Sequence, residues 1–324
     1  MLDLMTVGDI KLDTFILVPD ASVMCALHMP DCKLCIAYGK KIPVTAMTAE
    51  IAGTAPNVAV GVAKFQKKTG VVSVMGNDDI HAHAKAFLKR HGVSATHVVA
   101  KPGVRSSAAT VLTYKGESTQ FVDHAHVEYR LPDTTKHASW VHISELGEGY
   151  EQLYADAIAM KKHHGTRISF NPGTVQIAEE KTALFSLLRV TDILFVNMNE
   201  ARSLLHIQNG EGVHGIVAGL HHLGAGIVVL TDGANGAYAF DGTTLTFAPI
   251  FSGDRIEATG AGDAFSAGFL GAMLHKLPLG ESLQFGSANA AAVIGQVGPT
   301  AGHKTFADLQ KTLASNPTYT TKTL

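Results

Sequence analysis

From residue 139 onward the chain alternates short apolar runs with amphipathic stretches, and few architectures accommodate that order. "WVHIS" (140–144) precedes "YEQLYADAIAMKKHH", where Leu153, Ala157, Ile158 and Met160 recur at helical spacing. "RISF" (167–170) precedes a segment carrying Leu184, Leu187 and Leu188, and "ILFV" (193–196) leads into "NEARSLL". "GIVVLT" (226–231) follows the helical "HGIVAGLHHLG". Continuous apolar runs are strands buried on both faces, and the periodic stretches between them are the covering helices. The same rhythm occurs earlier in "PNVAVGVAKFQKK", "VVSVM" and "DDIHAHAKAFLKRHG". The pattern predicts βαβ units and a parallel sheet between two helical layers.

Two segments break the rhythm. Residues 12–50 hold strand-like pieces without an amphipathic helix, and 97–126 read as a meander, "SAATVLTY", "KGE", "STQFVDH". Both flank the first βα unit, so a small β-sheet is expected over the strand ends, where doubly wound folds bind ligands. A length of 324 residues is long for one core. A sheet so placed is nevertheless a lid, and the expectation is one domain over 1–324 with lid segments at about 12–50 and 97–126. Toward the end, "GAGDAFSAGFLGAMLHK" puts Ala261, Phe265, Gly268, Phe269 and Ala272 on one helix face, whose glycine suggests close approach to the sheet. "ESLQFGSANAAAVIGQVG" follows as an Ala-rich helix.

Composition excludes some functions. A net charge of −2 gives no basic field for nucleic acid or an anionic membrane. No uncharged apolar run is long enough for a membrane span, and "MLDLMTVGDI" lacks the basic start of an export signal, so a cytoplasmic location is expected. Cys25, His28, Cys32 and Cys35 are zinc-ligand types in two short-spaced pairs, but the pairs stand too close together for most zinc modules. Reduced thiols in a small sheet are expected. The remaining histidines, His124 and His126 among them, show no metal-ligand spacing.

The chemistry concentrates in "EATGAGDAF" (257–265). Gly260, Ala261 and Gly262 would expose backbone N–H groups where a helix begins, which favours an anion, and Asp263 follows directly. Alone, the string is a tight turn and an N-cap. A Walker loop is absent, and Phe265 stands where the dinucleotide fingerprint needs its third glycine, so a dehydrogenase is disfavoured.

The longer string "ATGAGDAFSAGF" resembles the signature of the ribokinase-like (PfkB) carbohydrate kinases, and further landmarks follow in that family's order over about residues 4–306. "VGDIKLD" resembles the first strand and its sugar-binding acid, here Asp13. "AGTAPNVAVGVAKF" resembles the glycine-asparagine motif that carries Gly53 and Asn57 to sugar hydroxyls. "VNMNEA" matches the Asn-x-x-Glu motif, with Asn197 and Glu200 holding magnesium through water. "LTDGANGAYAF" resembles the nucleotide-contacting turn of Thr231, Gly233 and Gly236, and "ANAAAV" the helix that sets Asn289 beside adenine. The resemblance implies an α/β/α three-layer sandwich with a mostly parallel central sheet and a β-sheet lid. It also implies ATP with Mg2+, an anion hole of Gly260-Ala261-Gly262 amides, and Asp263 as the base that takes the hydroxyl proton.

Asn171, Glu145 and Glu148 fall in loops near the expected site. Two departures stand out. Glu257-Ala258 replaces the family's Asp-Thr, and the longer acid alters the place where relatives hold a monovalent cation such as K+. Ala52 replaces the first sugar-site glycine. A nucleoside acceptor would want an aromatic shelf, from Phe15, Tyr38, Tyr114 or Phe121; a sugar phosphate would want Lys40, Lys41, Arg105 or Lys115. Composition does not choose between them, and a nucleotide-binding protein without turnover is the reading from another class. Exposed lid edges can pair between subunits, so a homodimer is a further expectation.

Overall fold

The computed structural model describes residues 2–25, 32–133, 138–207 and 210–324. Along the first half run β1 (Leu4–Val7), β2 (Lys11–Leu17), β3 (Ser22–Met24), β4 (Lys33–Cys35), β5 (Ala46–Ala52), α1 (Thr54–Ala63), β6 (Thr69–Gly76), α2 (Asp79–Arg90), β7 (Ser94–Lys101), β8 (Ser107–Tyr114), β9 (Glu117–Asp123) and β10 (Trp140–Ile143). Then follow α3 (Glu151–His164), β11 (Arg167–Phe170), α4 (Thr174–Glu179), α5 (Thr182–Leu188), β12 (Ile193–Asn197), α6 (Met198–Leu205), α7 (Val213–His222) and β13 (Ile227–Thr231). The chain closes with β14 (Ala237–Phe240), β15 (Leu245–Ala248), α8 (Ala261–Leu274), α9 (Leu279–Ile294), α10 (Phe306–Ala314) and β16 (Lys322–Thr323).

Among the described residues, one large sheet has the order β16-β15-β14-β13-β12-β11-β10-β1-β6-β7. It is parallel from β13 to β7, and β14 to β16 add an antiparallel edge. Successive side chains feed opposite faces. Leu194 and Val196 of β12 pack with α3, α5, α6 and α7, whereas Ile193 and Phe195 pack with α1, α8 and α9. The result is the expected three-layer sandwich. A separate small sheet, β5-β2-β8-β9, stands where the chain leaves β1 and re-enters at α1.

Three expectations are corrected. Residues 97–101 belong to β7 at the edge of the large sheet, so the small sheet takes its second hairpin only from Ser107 onward. Apolar Val98 packs beneath α2, which draws that segment inward. Helix α8 is buried all round from Ala264 to Ala272, and its glycine admits a helix, not the sheet. A Cβ on Gly268 would meet the Phe285 carbonyl oxygen of α9 at 2.6 Å.

Cys25 and Cys32 form a disulfide and are not free thiols. The β3–β4 register pairs Met24 with Lys33, which brings the next two residues face to face. Cys35 remains free, and His28 lies outside the described residues. Among the described residues there is no metal-binding cluster of His, Cys, Asp and Glu, and no helix long and apolar enough to cross a membrane.

Candidate active site

Strand β1 lies between β10 and β6, so chain direction across the sheet reverses there and leaves a crevice at the strand ends. Asp9 and Glu145 follow β1 and β10 at that crevice, tied by Asp9 N–H to the Glu145 carbonyl at 3.4 Å.

Helix α8 begins opposite. Gly260 has φ +80°, and a Cβ there would meet Pro299 Cβ at 2.6 Å, so only glycine fits. The Ala261 N–H donates to the Ala258 carbonyl at 3.2 Å. Of the amides expected to face an anion, Ala261 thus closes the turn, while the Gly260, Gly262 and Asp263 N–H groups have no partner among the described residues. Nothing lies within 4 Å of the position a Gly262 Cβ would take, so open space faces the turn.

Asp263 Oδ2 accepts from Asn57 Nδ2 at 2.7 Å. Burial pushes the Asp263 carboxyl up, against hydrogen bonds from Asn57 and Thr54 and the charge of Lys11. The cap of α1 is Gly53 (φ +117°), whose Cβ would strike the Asp9 carbonyl oxygen at 2.4 Å. Asn57 therefore sits inside the first turn, freed from capping, and its buried Oδ1 has no partner.

A cavity of about 300 Å³ opens between these groups, lined by Lys11, Asp13, Gly53, Asn57, Glu145, Asp263 and, from β9, Glu117, Ser118 and Gln120. Burial raises Asp13 to about 6, opposed by Lys11 and reinforced by Glu145, Asp263 and Glu257. Its Oδ1 is buried without a partner. Lys11 Nζ pairs with Glu145 Oε2 at 3.1 Å. Behind the pair, His124 Nδ1 meets Asp9 Oδ2 at 2.7 Å while Nε2 faces Glu145 Oε1 at 3.7 Å. Asp9 also accepts from Tyr129 Oη at 2.6 Å and Ser107 Oγ at 3.1 Å. Lys11, Asp9 and Tyr129 escaped the sequence reading. One signal was present: Lys11 and Asp13 put two charges on the buried face of a strand whose third inward residue is Phe15.

An apolar cavity of about 260 Å³ adjoins it, sharing Ala258, Ala261 and Gly262, and is lined by Thr231, Gly233, Gly236, Phe265, Ala291 and Ile294. Gly236 (φ +104°) lets its backbone approach the Ala248 carbonyl, which a Cβ would meet at 2.4 Å. Past Thr231 and Gly233 an open groove of about 990 Å³ reaches Asn197 and Glu200. These two cap α6 reciprocally: Asn197 Oδ1 accepts from Glu200 N–H, and Glu200 Oε2 accepts from Asn197 N–H, each at 2.9 Å. Burial raises Glu200 to about 7, the Asn197 amide opposes this, and the charges of Glu145 and Asp263 add to it.

Asn289, expected beside adenine, lies in α9. It is fully buried, Nδ2 reaching the Ala264 carbonyl at 2.8 Å and His303 Nδ1 at 3.0 Å, while Oδ1 accepts from Lys304 N–H at 3.1 Å. The side chain is spent bracing α8 against α9, and the adjoining cavity is lined instead by Ser287, Ala290 and Ala291. Asn171 Nδ2 donates to the Phe195 carbonyl at 3.0 Å, bridging β11 and β12. Glu148 is exposed and lines none of the three cavities.

A parallel-sheet sandwich with paired cavities at the carboxyl ends of its strands has the ligand-binding crevice of a doubly wound α/β protein. Residues 21–305 match the pfkB family carbohydrate kinase model, and the chain belongs to that family. It is similar to a 5-dehydro-2-deoxygluconokinase of Lacticaseibacillus casei, 25% identical over 81% of this chain and 86% of that protein. A cytidine kinase of Thermococcus kodakarensis is 25% identical over 91% of this chain and 96% of that one. The fold matches Arabidopsis thaliana ribokinase complexed with ribose and ATP, with TM-score 0.79 and 21% identity over 96% of this chain and 98% of that one. Its class is that of the carbohydrate kinases.

Proposed function

We propose that the enzyme transfers the γ-phosphate of Mg-ATP to a hydroxyl of a small sugar or polyol, with Asp263 as base. The observation that carries this is the juxtaposition at α8. Open amides of Gly260, Gly262 and Asp263 stand where the two cavities meet, beside a carboxylate held by Asn57. Those amides would hold the transferring phosphate as its charge shifts. Asp263 orients the attacking hydroxyl and takes its proton late, since the transition state is loose. Asp13, Gly53 and Asn57 bind the acceptor. Thr231, Gly233 and Gly236 border the base and ribose of ATP.

Magnesium fits the residues present. Glu200 has one carboxylate oxygen outside its capping bond, and Glu145 and Asp263 share its field, an excess of hard oxygen donors that a divalent cation offsets. Asn197 and Glu200 would hold it through water. Bound with ATP, magnesium supplies positive charge against the phosphates. K+ is supported less directly. Glu257 Oε2 accepts from Gly298 N–H at 3.1 Å, whereas Glu257 Oε1 and Thr259 Oγ1 are buried without partners. Turnover in K+ against Na+ buffers tests it.

A nucleoside acceptor finds less support. None of Phe15, Tyr38, Tyr114 or Phe121 lines the acceptor cavity, and neither do Lys40, Lys41, Arg105 or Lys115. The small sheet acts as lid, excluding water that would otherwise hydrolyse ATP. Its exposed Leu17, Met47 and Phe121 support a homodimer through it, which sedimentation tests. A cytoplasmic location, where ATP is supplied, belongs to the same reading.

ADP release from Mg-ATP, measured across pentoses, hexoses, polyols, sugar acids, sugar phosphates and nucleosides, tests the proposal. Acceptor-dependent release supports it; Mg-ATP binding with no release for any acceptor would leave a binding protein.

A further inference from the structure

Lys11 is the cation in the acceptor cavity, and neither the family match nor the sequence motifs assign it a role. Its residue is 4% exposed, a costly place for an ammonium. Burial pulls its pKa down, yet Glu145, Asp13 and Asp9 together hold it above the ordinary lysine value, so it stays charged. An ammonium has three donors. Glu145 Oε2 takes one, and among the described residues no other acceptor is bonded to it. Asp13, two residues along the same face of β2, has an oxygen with no partner, and so does Asn57. Residues that line the cavity thus hold both unspent donors and unspent acceptors.

We propose that Lys11 determines acceptor specificity: its ammonium, steadied by Glu145, donates to a hydroxyl that in turn donates to Asp13, so the acceptor is a neutral polyol. This rests on the kinase reading above and narrows it. A hydroxyl both accepts and donates, which a carboxylate or phosphate oxygen does not. Charge decides against anionic acceptors as well. Asp13, Glu145 and Asp263 line the cavity against Lys11, whose charge Glu145 already offsets, and Glu117 there is paired with Arg255. The Asp9–His124–Glu145 chain acts one step back, fixing the carboxylate that fixes Lys11.

The experiment measures kcat/KM for neutral monosaccharides and cyclitols, the matching sugar acids and sugar phosphates, and nucleosides. Single-deoxy forms of the best acceptor follow, in wild type, Lys11→Met and Lys11→Arg, with Mg-ATP affinity and melting temperature as controls. A neutral polyol should lead its anionic counterparts, and loss of one particular hydroxyl should cost about 10²-fold. In Lys11→Met that penalty should vanish, while penalties at other hydroxyls persist. The acid limb of its kcat/KM profile should also move to higher pH. Of the groups facing Asp13 (Lys11, Glu145, Asp263 and Glu257), Lys11 is the one that holds it ionised. Lys11→Arg should retain the limb.

Preference for a sugar acid, sugar phosphate or nucleoside overturns the inference while leaving the kinase reading intact. The same follows if folded Lys11→Met keeps the full single-deoxy penalty. Should Lys11→Met not fold, the wild-type panel decides alone, through the class of acceptor preferred. Bound Mg-ATP with no release for any acceptor removes the kinase reading, and this inference with it.

Discussion

Asn57 Nδ2, in the first turn of α1, donates to Asp263 Oδ2, in the first turn of α8, at 2.7 Å. The bond joins two helix starts 206 residues apart, beside the 300 Å³ cavity that both residues line, and leaves Asn57 Oδ1 buried without a partner. It also stabilises the ionised form of a carboxyl that burial pushes up. In Asn57→Ala the Asp263 carboxyl should rise further, so the acid limb of the kcat profile moves to higher pH. A profile unchanged from wild type would detach Asn57 from the base.

Asp263→Asn keeps the shape of the turn and removes the proton acceptor. Nucleotide affinity should hold while turnover falls by about 10²–10⁴-fold, the usual range for a positioned base. Calorimetric titration with a non-hydrolysable ATP analogue, beside single-turnover kinetics, separates the two effects. Near wild-type turnover would take the catalytic role away from Asp263.

Asp13 costs stability. Its carboxyl ionises near pH 6 in the folded chain and near the ordinary value when unfolded. The folded state therefore favours the protonated acid, and stability is lost as pH rises between those values and stays lower above about 6. Asp13→Asn should recover on the order of 2–3 kcal/mol at pH 7.5 and almost nothing at pH 3.5, read from melting curves. It should lose acceptor turnover at the same time. A melting temperature that falls at pH 7.5 would refute the sign.

Asn289→Ala separates bracing from nucleotide contact. Loss of its buried bonds to Ala264 and Lys304 should cost about 1–3 kcal/mol, with little change in KM for ATP where the protein remains folded. A large rise in that KM at unchanged melting temperature would return Asn289 to the nucleotide site.

Burial holds His142 down to about 3, and mainly burial holds His303 down to about 4. Both are neutral in the fold, while the unfolded chain takes up their protons below about 6.5. Their stabilising contribution is present above that pH and is lost as pH falls toward 4, on the order of a few kcal/mol in all. The fall in melting temperature between pH 7 and 4.5 should be shallower in His142→Met than in wild type.

The sequence by itself determined the layers and the placement of α8, because strand and helix periods are local properties of side-chain spacing. "GAGDAF" was legible for the same reason: a bend of small residues before a helix exposes amides whatever surrounds it. Only the tertiary structure decided which groups meet there. Asp9 and Lys11, His124, and Glu145 come from three separate stretches and acquire meaning through distances that no spacing encodes. Asn289 shows the converse, a residue in the expected place on its helix whose amide was claimed by the neighbouring backbone. The disulfide likewise waited on hairpin register, which set Cys25 opposite Cys32 and left Cys35 apart. Burial completed what contact began, since the positions of Asp13 and Glu200 on the pH scale depend on how much water the assembled fold removes.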